Sequence, residues 1–138
     1  MPLGDPMGGE APEQEQGKLL RIAQLRVPVS DIEQAIELYS EVLGLRLASD
    51  MRAMGQAEIA LDEGTTLLLY VPGKDDEDQP GIRTGAVFAT DSIYDFHKVL
   101  VDEGIEFTMK PQRDKFGRLI ARFVDDDGNE FEVVDAPK

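Results

Sequence analysis

Residues 27–47 read VPVSDIEQAIELYSEVLGLRL, and the order of punctuation in this stretch decides the fold. Leu25, Val27 and Val29 alternate with Gln24, Arg26 and Pro28, which is the period of a strand covered on one side. Ser30, followed three residues later by Glu33, has the form of a capping box, so a helix is expected to begin there. Ile32, Ala35, Ile36, Tyr39, Val42 and Leu43 then recur at helical spacing, and Gly44 supplies the left-handed stop. After it, alternation resumes, and strands are expected near 45–50, 56–61 and 66–72.

The same order returns 60 residues on. Asp91 and Gly104 stand where Asp31 and Gly44 stood, and Ile105 and Phe107 follow as Leu45 and Leu47 did. Further along, ALDEGTTLLLYV (60–71) matches FVDDDGNEFEVV (123–134), with Gly64 opposite Gly128. Two motifs recurring in one order mark a repeated unit rather than a chance likeness. The second unit is expected to have a strand at 84–90, a helix at 92–103, and strands near 106–110, 118–124 and 129–135. The chain therefore reads as α+β, one domain over 18–138 made of two βαβββ modules, 18–72 and 84–136. The acidic stretch GKDDEDQPG lies within a linker spanning 73–83 and is expected to be solvated. Residues 1–17, rich in Pro, Gly and Glu and free of aromatics, are expected to form a disordered arm.

Composition narrows the function classes. Twenty-eight acidic residues against fourteen basic give a net charge of −14, a field that repels phosphate backbones, so nucleic acid is not an expected partner; the charge reads first as a source of solubility and second as an attraction for a cationic ligand. The chain has no cysteine, which removes disulfides, thiolate metal sites and a cysteine nucleophile, and fits a cytoplasmic setting. No window approaches the roughly 20 apolar residues of a membrane span, and the N-terminus has no signal-peptide pattern.

Strand alternation puts Leu25, Val27, Leu67, Leu69, Phe88, Phe123, Phe131 and Val133 beneath the helices. The other face then carries Gln24, Arg26, Arg46, Glu58, Thr66, Leu68, Tyr70, Val87, Ile120, Arg122, Glu130, Glu132 and Val134. Convergent charges of both signs among apolar residues suit a concave pocket or a subunit interface. Gln24, Arg26, Glu58, Tyr70, Phe116, Arg122 and Glu132 are the candidate ligand-binding residues, with Tyr70 and Phe116 offering rings for stacking. Glu132 is the candidate catalytic group, because a desolvated carboxylate can act as a base. The only histidine, His97, falls on the second helix, away from that face, and is read as a structural or surface residue. Asp125-Asp126-Asp127 lacks the spacing of a calcium loop and is read as a turn closed by Gly128.

Three segments, VPVSDIEQAIELYSEVLGLRL (27–47), TGAVFATDSIYDFHKVLVDEGIEF (84–107) and FGRLIARFVDDDGNEFEVVD (116–135), resemble the vicinal oxygen chelate superfamily. This group contains glyoxalase I, bleomycin-resistance proteins and extradiol dioxygenases. The resemblance implies curved mixed sheets around a cup, usually completed in a homodimer. It also implies metal ligands, His or Glu, on the first and last strand of each unit. Carried over, those positions fall on Gln24, Leu68, Gly85 and Glu132. Only Glu132 is a good ligand, and Gln24 offers at most an amide oxygen, so no cofactor is expected. What is expected is a small-molecule-binding protein of the bleomycin-resistance type. The alternative is a lyase, isomerase or dioxygenase with an atypical metal set on Glu132 and Gln24.

Overall fold

A computed structural model describes residues 17–136. The arm expected over 1–17 lies outside them except for Gly17. The first module runs β1 (Gln24–Pro28), α1 (Ile32–Glu37), β2 (Arg46–Met51), β3 (Gln56–Ala60) and β4 (Thr66–Tyr70). The second runs β5 (Arg83–Thr90), α2 (Ile93–Asp102), β6 (Phe107–Arg113), β7 (Leu119–Val124) and β8 (Glu130–Asp135). Each module makes one four-stranded sheet, ordered β1-β4-β3-β2 in sheet A and β5-β8-β7-β6 in sheet B. The first strand pairs parallel with the last, and the remaining pairs are antiparallel. The helix between the first and second strands is long enough to carry the chain across to that edge, as a parallel neighbour requires.

The first helix departs from the expected uniform pattern. Its cap is Asp31, whose Oδ1 accepts the Gln34 amide at 3.1 Å, and not Ser30. Ser30 is drawn away by Asp127, which accepts both its hydroxyl at 2.6 Å and its amide at 3.1 Å. After Glu37 the helix widens into a π-type turn over Leu38–Val42, closed by the Leu43 amide on the Leu38 carbonyl. The Ser40 hydroxyl donates back to the Ile36 carbonyl at 2.6 Å. Such back-bonding competes with the regular ladder and bends helices. The wide turn leaves Leu38 and Tyr39 both buried.

One apolar core serves both modules. Val27, Ile59, Leu67 and Leu69 of sheet A and Phe123, Phe131 and Val133 of sheet B are all at most 2 % exposed. Tyr39 of the first module meets Phe131 of the second edge-on, with centroids 6.0 Å apart. Phe131 in turn stacks on Phe123 at 5.7 Å. The helix-side parity read from the sequence is thus the core side, with Leu25 and Phe88 only half-buried. Ile120, placed on the opposite parity, is nonetheless buried; it lies near the start of β7 across from Val134. In β6, Pro111 falls in a register shift between Met109 and Gln112, where an edge strand tolerates the missing amide.

The two modules are clasped by the turn at 125–129. Asn129 is fully buried and donates to the Pro28 carbonyl and to Asp125 Oδ2, both at 2.8 Å. Its Oδ1 accepts the amides of Gly81 and Ile82 at 2.8 and 2.9 Å. Tyr39 Oη donates to Asp125 Oδ2 at 2.7 Å. Strand β1, the π-type turn after α1, the linker and the turn leading into β8 therefore meet on two side chains. Among the described residues no helix is long and apolar enough to cross a membrane.

Candidate functional site

The faces of the sheets turned away from the core carry the candidate residues, and each has its own hollow. Over sheet A, a hollow of about 410 Å³ is lined by Arg26, Gln56, Leu68, Tyr70, Asp76, Glu77 and Asp78. Over sheet B, one of about 170 Å³ is lined by Arg83, Gly85, Ala86, Val87, Arg122, Glu130 and Glu132. The two share no lining residue, and both are open to solvent.

In sheet A, register sets Gln24 beside Thr66 and Glu58 beside Leu68. Gln24 Nε2 donates to Glu58 Oε2 at 3.1 Å and to Thr66 Oγ1 at 3.4 Å, while Thr66 Oγ1 donates to Glu58 Oε2 at 3.4 Å. Arg26 pairs in register with Leu68 and makes no ion pair among the described residues. Burial, together with the carboxylates of Asp78 and Asp76, raises the Tyr70 phenol above its ordinary range, against the pull of Arg26.

The three carboxylates in this hollow come from the segment expected to be solvated. Gly73 and Asp76 close a small turn, with the Gly73 amide on Asp76 Oδ2 at 2.6 Å and the Asp76 amide on the Gly73 carbonyl. Gln79 Nε2 ties it down by donating to the Gly73 and Asp76 carbonyls. The linker thereby becomes a wall of the hollow. Its charge and its exposure were visible in the sequence; its place beside Tyr70 and Leu68 along one hollow was not, because it follows from where β4 ends in space.

In sheet B, Arg122 and Glu132 are register partners, and Arg122 Nε donates to Glu132 Oε1 at 3.1 Å. Glu132 is half-buried, so this pair is worth more than an open surface bridge. Next to it, Glu130 accepts from Thr108 Oγ1 at 2.7 Å and from Arg83 Nε at 3.1 Å. The Thr108 hydroxyl, and then Arg83, hold the Glu130 carboxyl below its usual range against the effect of partial burial. Gly85 sits in a bulge of β5 between Arg83 and Val87, at φ 76°. A side chain there is strained whatever the space around it.

The structure brings Gln24 to Glu58, and Arg26 to Tyr70, on sheet A; it brings Arg122 to Glu132 on sheet B. It does not bring the two groups together within one chain. Phe116 joins neither, since it stands 75 % exposed at the tip of the β6–β7 hairpin. His97 lies against Phe107 at 4.6 Å between ring centroids and lines neither hollow. The lining residues that sequence reasoning left out are Gln56, Asp76, Glu77 and Asp78 on one side and Arg83 and Ala86 on the other.

The metal positions carried over from the superfamily pattern are a poor fit. Leu68 and Gly85 have no donor, the Gln24 amide is turned to Glu58, and Glu132 is engaged by Arg122. Among the described residues no three His, Asp or Glu side chains converge as a metal-holding group.

Comparison with known proteins completes this picture. No curated protein matches the sequence. Among solved structures, a glyoxalase/bleomycin resistance protein/dioxygenase superfamily member from Sphaerobacter thermophilus DSM 20745 is 28 % identical, with a TM-score of 0.76 over 86 % of this chain and 98 % of that one. A glyoxalase/bleomycin resistance protein from Streptomyces sp. CB03234 is 26 % identical, with a TM-score of 0.66 over 83 % of this chain and 99 % of that one. TnmS3, described as an antibiotic binding protein of the same Streptomyces, is 24 % identical with a TM-score of 0.72 over 87 % and 98 % of the two chains, a likeness of fold. The model of the Glyoxalase/Bleomycin resistance protein/Dioxygenase superfamily matches residues 21–133. With its paired βαβββ modules and their two open sheet faces, the chain belongs to that superfamily.

Proposed function

We propose that this chain is a small-molecule-binding protein that works as a homodimer, with the open face of sheet A from one protomer set against the open face of sheet B from its partner. The ligand lies in the cup so formed, without a resident metal or other cofactor. One observation carries this reading: Arg122 and Glu132 form a half-buried pair on the sheet face turned away from the core. An ion pair placed there adds nothing to the packing of the core. A polar ligand or a facing subunit would give the pair something to orient. Gln24, Arg26, Glu58 and Tyr70 are the matching groups on the other wall.

The net charge of −14 and the carboxylates of Asp76, Glu77 and Asp78 favour a cationic ligand, with Tyr70 as a stacking surface. TnmS3, an antibiotic binding protein, makes antibiotics one ligand class found on this fold. At 24 % identity the choice of ligand class rests on the residues above.

Thermal unfolding with a panel of cationic aromatic antibiotics tests the proposal. A ligand near a hundred times its Kd should add about 2.7 kcal/mol and raise Tm by several degrees. Glu132→Gln should lose most of that rise. A panel with no stabilisation at all would overturn the reading. Stoichiometric tightly held divalent metal that supports lyase, isomerase or dioxygenase turnover would replace it with an enzyme using Glu132.

A further inference from the structure

The β6–β7 hairpin is a part of this acidic molecule where the charge is reversed. Between residues 110 and 118 stand Lys110, Arg113, Lys115 and Arg118 against a single Asp114. That one carboxylate is used up inside the tip, where it accepts the amides of Phe116 and Arg118 at 2.9 and 2.8 Å and Arg118 Nε at 3.2 Å. Arg113 Nη1 donates to the Gly117 carbonyl at 2.8 Å and braces the turn from the other side. Above this ordered turn, Phe116 projects 75 % exposed, with Lys115 Nζ 5.3 Å from its ring centroid. A large exposed aromatic on a rigid, cationic tip has the chemistry of an interface anchor, and its order lowers the entropy lost on docking.

The complementary surface is on the same chain. The hollow over sheet A has Leu68, Tyr70 and Arg26 along its strands and Asp76, Glu77 and Asp78 along its wall. Its apolar and aromatic groups suit a phenyl ring, the guanidinium of Arg26 can stack on that ring, and the carboxylates answer the lysine beside it. Among the described residues no hydrogen bond or ion pair joins the hairpin to segment 73–81 within one chain.

We propose that the hairpin tip of each protomer docks at the sheet A hollow of a second copy. Phe116 covers the mouth of the hollow, and Lys115 faces Asp76–Asp78. The contact is reciprocal under a two-fold axis, as an isologous dimer requires. Each binding site then has an aromatic wall supplied by the partner, which gives Phe116 the ligand-facing place it lacks in one chain. This rests on the homodimer reading above, and deepens it.

The absence of cysteine allows a direct test. Two single variants, Phe116→Cys and Glu77→Cys, are purified separately, mixed and mildly oxidised. The mixture should give a reducible covalent dimer well beyond what either variant gives alone. Independently, Lys115→Glu should weaken the dimer about tenfold or more in sedimentation equilibrium. Pairing it with Asp76→Lys and Asp78→Lys should recover most of the loss. A wild-type dimer with neither a mixed cross-link nor a charge-reversal effect overturns the docking and leaves the homodimer standing. A wild-type chain that stays monomeric at tens of micromolar overturns both. A cross-link that forms within a single dilute chain carrying both cysteines places the contact inside one protomer and overturns the proposal.

Discussion

Asn129 and Asp125 spend every polar atom they bury. The Asn129 amide group reaches Pro28 and Asp125, its oxygen takes two backbone amides from the linker, and Asp125 takes the hydroxyl of Tyr39. A buried network is stabilising only when all its members are satisfied, so each partner matters more than its single bond suggests. Tyr39→Phe leaves the Asp125 carboxylate one donor short and should cost about 1–3 kcal/mol in urea unfolding at neutral pH. The pH dependence gives a second reading. Burial, and then the negative charge of Asp125, raise the Tyr39 phenol far above its ordinary value of 10.0. The folded chain therefore keeps a proton that the unfolded chain releases, and stability from this source is full below pH 10 and lost as pH climbs beyond it. Wild type should show that alkaline loss, and Tyr39→Phe should show a flatter limb over the same range. Phe-Val-Asp-Asp-Asp-Gly-Asn was legible as a turn because Gly128 and its neighbours favour one. That the turn fastens two modules was not legible, since Pro28 and Asn129 are 101 residues apart.

Among the elements, the first helix shows how a local rule is overruled. Ser30 and Glu33 have the spacing of a capping box, but Asp127, 97 residues away, claims the serine and leaves Asp31 as the cap. Asp31→Ala should destabilise the protein by about 1 kcal/mol through the exposed Gln34 amide, measured as a lower urea midpoint with an unchanged slope. Retention of full stability would return the capping role to Ser30. The strands came through with their ends within about three residues, because alternation and Gly or Pro punctuation are local signals. The acidic segment 73–81 had no such signal. Its composition says that it cannot make a core, but not that a turn at Gly73–Asp76 lays it beside Tyr70. Gly85 is a similar case: the sequence shows a glycine in a strand, and pairing shows the bulge that needs it.

At the scale of the whole molecule, the shared core and the separate hollows pull in different directions. Aromatic packing from Tyr39 through Phe131 to Phe123 makes one body of the two modules. The open faces meanwhile remain two half-sites. If each cup combines sheet A of one protomer with sheet B of its partner, damage on the two sheets should complement in trans. Arg26→Glu and Glu132→Gln are each expected to bind poorly alone. Random mixing should restore roughly a quarter of the wild-type sites, since half the dimers are mixed and each has one intact cup. Calorimetric titration of the mixture checks the number, and a mixture that binds no better than its parents would place the cup within one chain. By itself the sequence determined the strand and helix order, the repeat, and, Ile120 apart, the face of the strands that meets the core where their alternation was read, because these follow from backbone period and turn chemistry over a few residues. Only the tertiary structure decided that Gln24 joins Glu58 and Arg122 joins Glu132 on different sheets, that the linker lines a hollow, and that Phe116 stands apart. Those relations depend on how distant segments meet in space, and no local preference encodes them.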